Sequence, residues 1–239
     1  MKRASLGFLL LFVVVLPGTA QVPALAGAQQ STHASSAKHH PLSADKLWAD
    51  LMAGNKRFVA GHAEAFDLVK LRGSLARGQH PKVVVLACSD SRVAPELLFD
   101  KSLGDLFVVR SAGNIADAIG VGSIEYAVEH LGSSVLVVLG HTGCGAVNAA
   151  CSGEKMPTPG LQAIVDKITP AVLQSRKNDG KSGALVESAI KENVHQSAKD
   201  VLASSDLLRH FVEEGKLTVF EAEYKLDTGE VIRLEGGSR

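Results

Sequence analysis

The chain has 239 residues and balances 25 basic against 25 acidic side chains. That length allows one domain with a substantial core. The charge balance lacks the basic excess of most nucleic-acid binders, so no nucleic-acid partner is expected.

Met1-Lys2-Arg3 opens the chain with positive charge, and Phe8 to Leu16 follow as an apolar run of nine residues. Small residues come next, ending in Ala20 and then Ala26. The pattern reads as a secretory signal peptide over 1–26, cleaved after Ala20 or Ala26. The run falls short of the roughly 20 apolar residues a membrane span needs. An uncleaved anchor is the alternative; with cleavage, no stable membrane insertion is expected. Loss of Lys2 and Arg3 leaves 23 basic against 25 acidic residues, a net charge of −2. The expected location is periplasmic or secreted. Residues 27–42 are small, polar and aperiodic and read as a disordered leader. Its His33, His39 and His40 could hold metal loosely, but the reading adopted is a solvated tail.

The remaining 43–239 reads as one folded domain. Ser43 caps a helix running to Gly61, with Leu47, Leu51, Phe58 and Val59 on an apolar stripe. It is expected to pack on the body or on a partner subunit, with Trp48 as a packing residue. Lys82–Cys88, Asp105–Arg110 and Ser134–Gly140 are apolar strands separated by a helical pattern over Gly120–Leu131. Cys144–Ser152 reads as a short helix. Leu161–Asn178, Ala184–Ser204 and Asp206–Gly215 read as further helices, with Pro170 breaking or bending the first. Leu217–Leu226 and Glu230–Leu234 are strands around Asp227-Thr228-Gly229. The fold class expected is α/β: a mainly parallel central β-sheet flanked by helices, with an N-terminal helical arm and a C-terminal edge hairpin.

Two strand ends carry the chemistry. Cys88-Ser89-Asp90-Ser91-Arg92 closes one apolar run, and His141-Thr142-Gly143-Cys144-Gly145 closes another. In a parallel sheet these carboxyl ends lie on one edge, where ligand sites form. Two thiolates and an imidazole suit zinc, and three protein ligands leave a fourth position open. Gly143 and Gly145 permit a sharp path around Cys144. Asp90 is either a fourth ligand or a neighbour of the metal-bound water, and Arg92 is placed to pair with it. The blander reading is two packing cysteines, a core histidine and a loop salt bridge. A Cys88–Cys144 disulfide also stays open, and Cys151 reads as a helix packing residue.

Together the two motifs resemble those of the β-class carbonic anhydrases, and the similarity runs from about Trp48 to the C-terminal strands. "SAGNI" at 111–115 and "SIEYAV" at 123–128 look like that family too. The resemblance implies one zinc per chain on Cys88, His141 and Cys144, and an Asp90–Arg92 dyad. In the family's closed form the aspartate ligates zinc; in its open form water does. Gln79, nine residues before Cys88, matches the plant-like branch. The family's substrate pocket maps to Gln79, Phe107, Tyr126, Gly145 and Ala112, where plant members carry a larger valine at the last position. Part of that pocket comes from a neighbouring subunit, implying a homodimer or a dimer of dimers. The family's allosteric bicarbonate site uses a tryptophan before the first cysteine. Here Val84 to Ala87 stand there, so that site is not expected.

The activity implied is reversible hydration of carbon dioxide to bicarbonate by zinc-hydroxide attack, with Asp90 orienting the nucleophile and Gln79 donating to the substrate oxygen. Two thiolates are expected to make the water less acidic than three histidines would, so activity should rise with pH. Other readings are a zinc enzyme acting on carbon disulfide or carbonyl sulfide, a structural zinc protein, and a thiol–disulfide protein. The lack of a CxxC pair weighs against the last.

Overall fold

The computed structural model describes residues 43–179 and 184–235. The signal-peptide and leader readings over 1–42 lie outside the described residues. From the N-terminal side the elements are α1 (Ala44–Val59), α2 (Leu68–Leu75), β1 (Val83–Cys88), α3 (Pro95–Leu98) and β2 (Leu106–Ser111). Then come α4 (Ala118–Glu129), β3 (Val135–His141), α5 (Gly145–Ser152), α6 (Pro159–Asp179), α7 (Leu185–Ala203), α8 (Asp206–Glu213), β4 (Thr218–Tyr224) and β5 (Val231–Arg233).

The five strands form one sheet in the order β2-β1-β3-β4-β5, parallel except for the antiparallel β5. β1 and β3 are buried along their whole lengths. That is why both read as unbroken apolar runs, since each face of a central parallel strand meets helices. Alternate residues serve opposite faces. Val83, Val85, Ala87 and Val135, Val137, Leu139 pack with Leu47 and Leu51 of α1, Phe99 and Phe220. Val84, Leu86, Leu136 and Val138 pack with Val121 and Ile124 of α4, Val194 and Val201 of α7 and Leu208 of α8. Each such Val, Leu or Ile contributes about 1.5–3 kcal/mol when fully buried.

The helical arm folds onto its own body. A Cβ at Gly54 of α1 would lie 1.8 Å from the Phe99 carbonyl oxygen, so the helix backbone runs directly against that turn. The neighbouring Asn55 donates from Nδ2 to the carbonyls of Leu98 (3.0 Å) and Gly229 (2.9 Å), and its Oδ1 accepts from Val231 N–H (2.9 Å). One buried amide thereby ties the arm to the β4–β5 hairpin.

Three features differ from the sequence reading. α2 and α3 form where no element was expected. α2 buries none of its residues within this chain, although Leu68, Leu71 and Leu75 lie on one side of it, and α3 is a single turn opened by Pro95. Pro170 does not break α6, which continues through it to Asp179.

The chain leaves β1 for β2 on one side, and β3 leads to β4 on the other. The carboxyl ends of β1 and β3 are therefore where the strand order switches, the place at which open α/β sheets bind ligands.

Candidate metal centre

Cys88 is the last residue of β1 and His141 the last of β3, and the two strands pair in parallel with Ala87 opposite Leu139. Cys144 caps α5 after a turn in which Gly143 takes φ 65°, a left-handed conformation suited to glycine. The Sγ atoms of Cys88 and Cys144 and a ring nitrogen of His141 lie within 4.8 Å of one another, and all three residues are buried. Both cysteines are free, so the disulfide reading does not describe this arrangement.

Hydrogen bonding aims the donor atoms inward. His141 Nδ1 lies 2.9 Å from the Thr142 carbonyl, which fixes the proton on that nitrogen. Nε2 has no hydrogen-bond partner among the described residues. A fully buried imidazole nitrogen without a partner, facing two thiols, is a donor set awaiting a cation.

Cys88 Sγ accepts backbone N–H bonds from Gly113 (3.3 Å) and Asp90 (3.4 Å). The hydrogen bond from Cys144 comes first in lowering its thiol, and His141 and these two amides add to it against the opposing effect of burial. The thiol is brought down to about 4. Cys144, donor in that pair, is pushed up by the same bond and by burial. One thiolate thus exists ready-made at neutral pH, and the second forms when a metal displaces its proton. The thiolate–imidazole set fits zinc.

Asp90 and Arg92 stand beside this cluster. Arg92 donates to the Asp90 carboxylate from Nε (2.9 Å), Nη2 (2.7 Å) and its own backbone N–H (3.0 Å). The guanidinium holds the Asp90 carboxyl well below the usual carboxylate range. Asp90 Oδ2 is also 4.0 Å from His141 Nε2, so the carboxylate faces the cluster while Arg92 grips it.

The remaining expected residues are placed differently. Phe107 and Ala112 line a groove of about 650 Å³ along the outer edge of β2, with Ile115, Ile119 and Ile164. The Tyr126 ring lies 6.4 Å from that of Phe107 on an exposed face of α4. Gly145 is the exposed first residue of α5, next to Cys144. Gln79 is exposed in the loop before β1.

Two residues near the cluster escaped the sequence reading. Arg110 of β2 donates from Nε to the Cys88 carbonyl (3.0 Å) and from Nη2 to the Asp90 carbonyl (2.7 Å). An arginine next to the last position of an apolar strand was the available signal. Asn193 of α7 donates to the Gly113 carbonyl at 2.8 Å. It looked like one more polar residue on a helix.

A family model described as "Carbonic anhydrase" matches residues 83–231. Carbonic anhydrase 2 of Mycobacterium tuberculosis is 41% identical over 189 residues, covering 77% of this chain and 90% of that protein. The carbonic anhydrase of Pseudomonas aeruginosa is 34% identical over 176 residues, covering 70% and 79%. Among solved structures, the β-carbonic anhydrase CcaA superposes with a TM-score of 0.63 at 27% identity, covering 80% of this chain and 95% of that one. Tetrameric β-carbonic anhydrases of the ascomycete Sordaria macrospora give 0.63 at 26% identity, covering 82% and 95%.

Proposed function

The chain belongs to the β-class carbonic anhydrases and catalyses their reaction, the reversible hydration of carbon dioxide, with zinc as cofactor; on that basis we propose how its residues divide the work. Cys88, His141 and Cys144 hold the ion. Zinc bound there supplies a Lewis acid that lowers the pKa of water toward neutrality.

Asp90 is the orienting base-like group. Its carboxylate is ionised and faces the cluster, so it accepts a hydrogen bond from the nucleophilic water and aims a lone pair at the carbon. Arg92 keeps Asp90 ionised and turned toward the guanidinium, so that a zinc held by Cys88, His141 and Cys144 would not take Asp90 as a further ligand. The observation that carries this reading is the three-point grip of Arg92 on a carboxylate 4.0 Å from the free imidazole nitrogen. Gln79 donates to the substrate oxygen where negative charge develops. Phe107, Ala112, Tyr126 and Gly145 shape the carbon dioxide pocket. Gln79, Phe107 and Tyr126 also support a reading of the chain as a member of the plant-like branch.

This pocket needs a second copy of the chain. β2 is a sheet edge, and the groove beside it is walled by apolar residues. Ile119 (78% exposed) and Tyr126 (48%) face outward from α4, and α2 buries nothing although Val69 is 71% exposed. A homodimer or a dimer of dimers would cover these surfaces and bring Gln79 and Tyr126 to a shared site, and the ascomycete relatives are tetrameric. The apolar run Phe8–Leu16 and the small residues after it support cleavage within 1–26 and a periplasmic or secreted enzyme.

Asp90→Ala tests the division of roles. It should keep one zinc per chain and lose turnover by at least about tenfold. Loss of zinc from this variant would contradict the assignment of Asp90 as an orienting group.

A further inference from the structure

We propose that Asn193 is a positioning residue for the metal-binding thiolate of Cys88, acting through the turn Ala112–Asn114; the proposal rests on the zinc reading above. The turn follows β2 directly, and Ser111 pairs with Cys88 across the sheet. It therefore lies beside the sulfur, and its Gly113 N–H is one of the two backbone donors to Sγ.

That turn is not one the backbone adopts freely. Gly113 has φ 75° and Asn114 has φ 48°, two successive left-handed residues, and only the first is glycine. Such a conformation persists where its surroundings over-determine it. One restraint is steric: a Cβ at Gly113 would lie 2.7 Å from Ile168 Cδ1 and 3.2 Å from Ala146 Cβ. The other is Asn193, whose Nδ2 donates to the Gly113 carbonyl at 2.8 Å from a helix 80 positions further along the chain.

Asn193 is 1% exposed, and its Oδ1 has no partner among the described residues. A buried amide satisfied at one end only is costlier than an apolar side chain of the same shape. Packing alone would not select asparagine here, so the position is held for its donor. The reach of that donor depends on Gly140, the residue before His141. A Cβ there would lie 2.5 Å from Val194 Cγ2, so glycine lets α7 lie against β3 and brings Asn193 over the turn.

Amide donors to a thiolate draw charge from sulfur and fix its direction, and such outer partners set both the affinity and the electronics of a metal site. Asn193 thereby tunes Cys88 without touching it.

Cobalt(II) substitution of the full-length protein provides the test, read by the thiolate-to-cobalt charge-transfer band, with zinc release to a chelator in parallel. Asn193→Leu removes the donor at similar volume, and Asn193→Ser removes its reach. Folded variants, judged by circular dichroism, should show the band at lower energy than the wild type. They should release zinc about ten- to a hundredfold faster. Val194→Ala loosens the same helix but keeps the amide, and should leave the band in place. An unmoved band in either folded Asn193 variant, or an equal shift in Val194→Ala, overturns the proposal. Failure of the wild type to take up cobalt or zinc would instead overturn the zinc-site reading, and this proposal with it.

Discussion

Arg110 Nη2 lies 2.7 Å from the main-chain oxygen of Asp90, while the carboxylate of the same Asp90 is gripped by Arg92. One arginine holds the loop and the other holds the side chain. Arg110 also reaches the Cys88 carbonyl, so a single planar fork ties down the main chain of a metal ligand and of the orienting residue together. Arg110→Ala should keep one zinc per chain and lower kcat about ten- to a hundredfold, since small misplacements of a catalytic group are costly. Arg110→Lys should recover little, because one ammonium does not reproduce the fork. Stopped-flow kinetics with zinc analysis checks both. Full activity in Arg110→Ala would remove it from the machinery.

Zinc affinity should rise with pH. In the free protein Cys88 is already a thiolate at neutral pH, its thiol brought down to about 4, whereas Cys144 keeps its proton. Binding must therefore expel the Cys144 proton, and also any proton on His141, whose pKa burial lowers but the hydrogen bond to Cys88 and that sulfur's charge raise overall. Competition with a chromophoric chelator between about pH 6 and pH 8, with proton release followed in weak buffer, measures this. An affinity that is flat with pH would contradict it.

Gly140→Ala should destabilise the fold. The new Cβ would meet Val194 Cγ2 at 2.5 Å, inside a packed layer between β3 and α7. Overpacking of this kind costs about 1–3 kcal/mol, readable as a lower urea midpoint at unchanged m-value.

The pair His195–Glu221 should make stability depend on pH. Glu221 lies buried on β4, and its hydrogen bond to the ring, followed by its charge, raises His195 above the ordinary histidine value of 6.5. A raised folded-state pKa means that the charged histidine is favoured in the native state. The pair's contribution is then full below about pH 6.5 and is lost as pH rises through the folded value. His195→Gln should melt below the wild type at about pH 6, and the gap should close as pH rises above neutral. A gap that widens with pH would reverse the sign and contradict this account.

What could be read in advance follows from where the information sits. β1 and β3 showed as apolar runs because both faces of each are buried, and Cys88 and His141 stood out because polar donors end those runs. α2 was missed because it is a short, eight-residue helix whose three leucines at helical spacing are easily taken for a loop. Pro170, read as breaking or bending α6, does not break it, because the loss of one backbone donor does not outweigh the packing of a 21-residue helix on α5 and α7. Gly54 looked like a helix weakener and is instead the point where α1 meets the Phe99 turn. Arg110 and Asn193 act through main-chain carbonyls brought near only by tertiary structure, and no local pattern marks such a contact.

The most direct test is stopped-flow hydration of carbon dioxide by the zinc-loaded protein across pH, beside Cys144→Ser. The account predicts rapid hydration that rises with pH and is lost in Cys144→Ser along with the bound zinc. One zinc per chain with no hydration at any pH would contradict it.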